Sequence, residues 1–510
     1  SMLRTWARLA CPPHTVVRRL VVDVGLEFHV QLATASKLFS AAGTSTSTAS
    51  IPNTAVAALD AGLPGALPVV SAEAVSHALS LGLALGGTIA PTSLFDRKHY
   101  FYPDMPLGYQ ITQRMAPLIR GGELVLGPRP LGGSASPPAV AIDYCSLEQD
   151  SGKLALARNP DAALLDLNRA GMPLVEVVTT PGLHSPEDAQ AALRAIQMLV
   201  RALGVSSGNL EDGSLRCDVN VSIRASRDAP LGVRSEIKNV NSVKAVGRAI
   251  AFEIQRQSEA LAAGESLGME TRGYDARTSS TYRLRTKESQ TDYRFFPDPD
   301  LRPLRVSPAE IAAARTALPE LPFATLDRLI AEYALDEAKA ARLLEVDGAV
   351  AFFEETLAAS PAAAAAPVAD FIVNEYYGRL GGAPQPSMAD AVVRPSVLAR
   401  IFELVASNEV SRKVARSVFL ELHRAGEREA SPAAVDAVLD ARGWRLAPLA
   451  ADSLSALCAD ALAAHPDAVA KYKSGNKRAL GFLVAHVMKA TKGAAPPDAV
   501  SRELRAALDG

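Results

Sequence analysis

Glu27 and His29 stand two residues apart in "VVDVGLEFHVQL", residues 21–32, where apolar and polar residues alternate. Successive side chains of an extended chain point to opposite faces, so Leu26, Phe28, Val30 and Leu32 share a core face. Glu27, His29 and Gln31 share the other. Solubility alone is served as well by Thr, Lys or Ser. "SLRCDVNVSIRA", residues 214–225, alternates in the same way, with Arg216, Asp218, Asn220, Ser222 and Arg224 opposite Cys217, Val219, Val221 and Ile223. "VRSEIKNVNS" adds Arg234, Glu236 and Lys238, and "PLVEVVTT" sets the single acid Glu176 in an apolar run, where an unpaired charge is costly. One such strand reads most simply as the wetted face of an antiparallel sheet. Several together, mixing Glu, His, Asp, Asn and Arg, point to a site. Carboxylates with one imidazole suit a hard cation such as Mg²⁺, and arginines fork onto phosphate oxygens. That set fits phosphoryl transfer, and it fits metal-assisted hydrolysis equally well.

The elements that must position these residues fall into two parts. From about 21 to 303 the chain is rich in Gly, Pro and short alternating runs, with a few helices such as "PEDAQAALRAIQMLVRAL". From about 304 onward Ala, Leu and Glu recur at helical spacing. "SPAEIAAARTAL" opens with Ser307 and Pro308, a good helix start, and "AASPAAAAAPVAD" reads as a linker or as an Ala-rich helix broken by Pro361 and Pro367. The expected class is α+β.

The 510 residues, 48% of them hydrophobic, can bury a sizeable core, in about two to four domains. A formal charge of −2 gives no global attraction to nucleic acid, so any such site is local. No apolar run approaches the ~20 residues that span a bilayer. Cys11, Cys145, Cys217 and Cys458 are widely spaced, which argues against a disulfide framework and a structural zinc site. Residues 2–22 hold Arg4, Arg8, Arg18 and Arg19 and no acid, the composition of an organelle transit segment, although Pro12 and Pro13 would break a helix there. The chain has no P-loop, G-x-G-x-x-G or H-E-x-x-H motif. A nucleotide would need a less common site.

"VGLEFHVQLATASKLFS", "FDRKHYFYPDMPLGYQITQ", "LEQDSGKL", "DLNRAGMPLVEVVTTP", "GNLEDGSLRCDVNVSIR", "EIKNVNSVKAVGRAIAFEIQRQ", "TDYRFFPDPDL" and "YKSGNKRALGFLVAHVMKATKG" together closely resemble the B-subunit family of glutamyl-/aspartyl-tRNA amidotransferases, from about residue 21 to the end. The resemblance implies a catalytic cradle at 21–303, built on an antiparallel sheet similar to that of glutamine synthetase. A helical domain at 304–440 and a small helical tRNA-binding tail at 441–510 follow, with 1–20 as an extension. It implies ATP- and Mg²⁺-dependent phosphorylation of the side-chain carboxyl of Glu-tRNA(Gln), with Asp-tRNA(Asn) as a second substrate. Ammonia from an amidase-type A subunit then displaces phosphate, and a small C-type subunit completes the complex.

By the same resemblance the Mg²⁺ ligands and catalytic residues are Glu27, His29, Glu148 and Glu176. Glu211, Ser214, Arg216, Asp218 and Asn220 are candidates for nucleotide phosphates or a second metal, and Lys98 lies near the ammonia path. Two departures stand out. Bacterial members commonly carry zinc-binding cysteine pairs where this chain reads "KLFSAAGTSTSTASIPN", so zinc is not expected. Gln149 replaces the second of two adjacent acids. Both resemble the organellar branch and imply a mitochondrial matrix location, with plastid or dual targeting as variants.

The tail supplies the local basic surface. Between Asp467 and Asp498 there is no acid, but there are Lys471, Lys473, Lys477, Arg478, Lys489 and Lys492. Leu480, Leu483, Val484 and Val487 mark an apolar helix face, leaving the cations outward for tRNA backbone. The rival readings are a noncatalytic tRNA-binding or assembly subunit and a metal-dependent hydrolase.

Overall fold

The computed structural model describes residues 20–44, 51–127, 138–156, 163–286, 292–380, 387–426, 430–445, 451–474, 476–490 and 497–509. The Arg-rich segment up to residue 19, residues 45–50 of the Ser/Thr-rich stretch, and Lys492 lie outside them.

The alternating runs become neighbouring strands of one ten-stranded sheet. Its long members are β1 (Val21–Gln31), β3 (Ala139–Gln149), β4 (Pro173–Thr179), β5 (Leu215–Arg224), β6 (Ser235–Val240), β7 (Glu270–Asp275) and β8 (Ser280–Thr286); β2 (Asp96–His99) belongs to a separate small sheet. The order is β8-β7-β6-β5-β1-β4-β3, extended past β3 by Ile119–Arg120 and Thr88–Ile89, with Glu123–Val125 also on β3. The strand with Glu27 and His29 is therefore central. Its neighbours are the strands with Glu176 and with Arg216 and Asp218. The described pairings of this sheet are antiparallel except β6 with β7, where helix α3 (Val243–Ala262) carries the chain back across, as a parallel pair requires.

One face of the sheet is the core. Phe28 and Val30 are fully buried, with Val175 and Val177 of β4 and Val219 and Val221 of β5 beside them. Helices α2 (Pro186–Ala202) and α3 cover that face through Leu193, Ile196, Val246 and Ile250. Helix α2 starts where Ser185 accepts a hydrogen bond from the Asp188 N–H, with Pro186 in the first turn and Glu187 and Asp188 at the positive end of the helix dipole. The opposite face is left for polar residues.

The chain divides into compact units after Thr325. In the first, α4 (Pro308–Thr316) packs on α1 (Ala72–Ala84), and Ile311 and Ala314 reach the main core. Ser307 and Glu310 close a reciprocal capping box at its start. The second unit is helical. The Ala-rich stretch is a broken helix: Ala349–Ala359 stops at Ser360 before Pro361, and Ala365–Phe371 resumes with Pro367 in its first turn, where a missing N–H costs little. The four helices from Ala451 to Asp509 gather Leu483, Val487, Val500 and Leu504 into a small core of their own. No described helix is long and apolar enough to cross a membrane.

Behind the polar face, Lys37 is completely buried, its Nζ 3.0 Å from Asp60 Oδ2 and 3.2 Å from the Leu167 carbonyl. Ser40 and the Ala57 N–H also donate to Asp60. Through the Leu167 carbonyl Lys37 joins the segment leaving β1 to the segment entering β4, the two strands on which Glu27, His29 and Glu176 lie. Lys37→Met strands a buried carboxylate and should cost about 3–5 kcal/mol in urea denaturation of the full chain, with Lys37→Met/Asp60→Leu recovering much of it. Losses that simply add would show the pair to be energetically inert.

Candidate functional site

Strand register builds the site row by row. Across the polar face Ser146 of β3, Glu176 of β4, His29 of β1 and Arg216 of β5 stand opposite one another in turn. In the next row Glu27 faces Asp218. Glu148, two residues beyond Ser146, closes over the first row, and His29 Nε2 lies 3.6 Å from Glu27 Oε1 and 4.0 Å from Glu148 Oε1. Glu27, His29, Glu148 and Glu176 are thus brought together, although they come from three strands. They line or adjoin a pocket of about 500 Å³, within the usual range for a small-ligand site.

The electrostatics of this cluster are unusual. Burial, with Glu148 and Glu27 close by, pushes the Glu176 carboxyl well above the ordinary glutamate range, although Ser146 Oγ donates to it at 3.0 Å. Lys98 stands on β2 with its Nζ 4.0 Å from Glu148 Oε2 and 5.4 Å from the Tyr293 ring centre. Burial would lower its ammonium, but Glu148 and Glu176 outweigh that and hold it above the usual lysine value. Lys98 is therefore a fixed cation in the pocket wall.

On the other side Arg216 Nη2 donates to Asp150 Oδ2 at 2.8 Å, and Arg169 Nε lies 3.6 Å from the same oxygen. The Arg216 Nε is buried with no hydrogen-bond partner. Asp218 is held by Lys238, whose Nζ is also 3.2 Å from Glu236 Oε1. Burial would lower the Lys238 ammonium, yet Asp218 and Glu236 raise it.

Not every expected residue reaches the pocket. Arg216 and Asp218 line it, whereas Glu211, Ser214 and Asn220 are absent from the lining. Ser214 is committed to the turn before β5: its hydroxyl accepts from the Asn209 N–H and donates to the Asn209 carbonyl. Glu211 is exposed on that turn. Asn220 lies farther along β5, opposite Glu236. Conversely Asp150, Lys238, Gln110 and Asn239 do line the pocket. Asp150 was legible as the second residue after Glu148, on the same side of an extended chain.

The donor set fits a divalent cation: one oxygen or nitrogen each from Glu27, His29 and Asp218 lie within 4.8 Å of one another, two carboxylates and an imidazole, while the expected ligands Glu148 and Glu176 stand beside this group without belonging to it. In the tail, Lys471, Lys473, Lys477, Arg478 and Lys489 are all exposed, while Leu480, Leu483 and Val487 are buried and Val484 is half-buried.

Crowding at Glu176 has a measurable cost. A carboxyl with a raised folded pKa keeps its proton in the folded chain over a range where the unfolded chain has lost it, so stability falls as pH rises through that range. Glu176→Gln, assayed in chelator, should therefore raise Tm at about pH 8 by roughly 2 °C or more, with the gain vanishing near pH 4. A variant no more stable than its parent at the higher pH would mean that the crowding is already relieved.

Two family models cover most of the chain: the GatB/GatE catalytic domain matches residues 22–312 and the GatB domain matches residues 351–508. The B subunit of the aspartyl/glutamyl-tRNA(Asn/Gln) amidotransferase of Bordetella petrii is 41% identical over 494 residues, 96% of this chain and 99% of that protein. Proteins of the same description from Cupriavidus taiwanensis and Alkalilimnicola ehrlichii are each 39% identical, over 96% and 95% of this chain and 99% and 98% of theirs. With a sheet unit and a helical unit both matched, and identity sustained nearly end to end, the chain belongs to the B-subunit family of aspartyl/glutamyl-tRNA(Asn/Gln) amidotransferases.

Proposed function

We propose that this chain activates the side-chain carboxylate of a misacylated tRNA, Glu-tRNA(Gln) in the first instance, by phosphorylating it with ATP, so that ammonia supplied by a companion subunit forms the amide. The single observation that carries the reading is the row of Glu176, His29 and Arg216 with Glu27 and Glu148 beside it, an arrangement of acids, imidazole and guanidinium on one rigid sheet. A free carboxylate is a poor acyl donor because it would have to expel an oxide ion. Attack of its oxygen on the γ-phosphorus, with the electron pair of the broken P–O bond leaving on ADP, makes phosphate the later leaving group. Positioning and charge compensation do most of the work in such a transfer. A divalent cation bound by Glu27, His29 and neighbouring acids would supply positive charge beside the phosphate oxygens. Lys98 stands beside Glu148 as a positive charge in the pocket wall, and Arg216, oriented by Asp150, lines the same pocket. The exposed lysines of the tail serve the tRNA backbone. Mitochondrial residence belongs to the same proposal and rests on the composition of residues 2–22.

In the reconstituted complex Glu27→Gln keeps the side chain's shape and removes its charge. Amide formation should fall by about 100-fold or more, since even a residue behind a metal ligand commonly costs 10–100-fold. Free ammonium should not restore it, because the lost step precedes ammonia attack. Near-normal ATP-dependent amidation with ammonium would make this strand purely structural. Separately, neutralising Lys473 and Lys477 should weaken tRNA binding and reduce the slope of log K against log salt by roughly 1 for each phosphate that is no longer neutralised. An unchanged slope would remove the tail from the tRNA interface.

A further inference from the structure

The pairing between β5 and β6 contains an irregularity that concerns the pocket. Cys217 stands opposite Val240 and Val219 opposite Ile237, so two residues of β6, Lys238 and Asn239, share the place opposite Asp218. This is a β-bulge. Asn239 adopts φ +62°, a left-handed conformation that asparagine tolerates better than most side chains. Under strict alternation Asn239 would fall on the core face with Ile237, and Val240 on the pocket face with Lys238. With the bulge, Val240 joins the buried core cluster while still contributing to the pocket wall, and Lys238 and Asn239 both line the pocket. Glu236, which Thr271 Oγ1 holds at 3.0 Å, supports the lysine from behind.

We propose that Lys238 is a catalytic residue of the activation step, its ammonium meeting the phosphate oxygens of the nucleotide as the γ-phosphoryl group moves to the carboxylate. The proposal rests on the function inferred above. In the transfer the bond from the γ-phosphorus to its bridging oxygen breaks, the electron pair goes to ADP, and a bond from a carboxylate oxygen forms. Negative charge therefore grows on the bridging oxygen, and no proton is needed from the lysine. Lys98 and Lys238 lie toward opposite sides of the acid cluster, against Glu148 and against Asp218. This polarity assigns the substrate carboxylate to the Lys98 side and the phosphates to the side where Lys238 and Arg216 line the pocket. The bulge at Asn239 is the positioning device.

The test uses the assembled complex, with ADP and aluminium fluoride as the probe of the transferring phosphoryl group. Lys238→Met should lower kcat for ATP-dependent amidation by about 100-fold, and Lys238→Arg should retain about a tenth of the parent rate. The variant should bind ADP nearly as the parent does but lose most of the extra affinity that aluminium fluoride confers, with tRNA affinity little changed; Tm falls because Asp218 and Glu236 lose the cation between them, so binding is measured well below the variant's transition. Asn239→Gly, which accepts a left-handed φ, should stay within about threefold of the parent, whereas Asn239→Val should fall toward Lys238→Met. Equal loss of affinity for ADP with and without fluoride, or full activity in Lys238→Met, would overturn the assignment. A parent complex that forms no amide with ATP would instead remove the functional reading, independently of Lys238.

Discussion

Like charges forced together on one face of a rigid sheet are the constraint on which the rest of this structure depends. Glu176 is pinned between Glu148 and Glu27 in a largely dry position, and its displaced proton affinity records the cost. Lys98 leans on Glu148, Lys238 on Asp218, and Arg216 on Asp150, so each cation present is shared with an acid at the pocket wall. On the function proposed above, the missing charge arrives with the reactants, and the repulsion that burdens the free chain becomes attraction for a cation and a phosphate held by it.

Only a scaffold with little freedom can hold such a cluster. The central strand places Glu27 and His29 with their partners on both sides through two continuous ladders, and the apolar side chains that alternate with them are locked beneath α2 and α3. Register and burial thus reinforce each other. Sliding β1 by one residue would send Phe28 and Val30 into the pocket and Glu27 and His29 into the core, so the core that fixes the fold also fixes the site.

The parts legible in the sequence are those in which period and chemistry coincide. Glu27 with His29, Arg216 with Asp218, and the isolated Glu176 all sit in alternating or plainly apolar runs, and they meet as that pattern implied. Glu148 is different, because the last five residues of β3 are all buried and no alternation marks it; resemblance to the family carried it instead. Ser214 was a phosphate candidate by family resemblance but is spent on the turn, since its hydroxyl, between Asn209 and β5, satisfies backbone groups first. The role of Asn239 was hidden for the opposite reason: a bulge breaks the period of 2 on which the reading of β6 relied. Asp150 was visible in "LEQDSGK", yet its task, holding Arg216 across the sheet, depends on a long-range pairing that no local pattern encodes.

The central place of β1 has a consequence for how the chain is made. It is the first described strand to leave the ribosome, yet both of its partners lie roughly 150–190 residues later, so at typical synthesis rates it waits on the order of ten to thirty seconds before either ladder can close. During that interval an apolar strand with two open edges is exposed to every other nascent segment, which is the condition under which chains aggregate or engage chaperones. The strand that organises chemistry in the finished protein is therefore left open during synthesis, with neither ladder of residues 21–31 yet available.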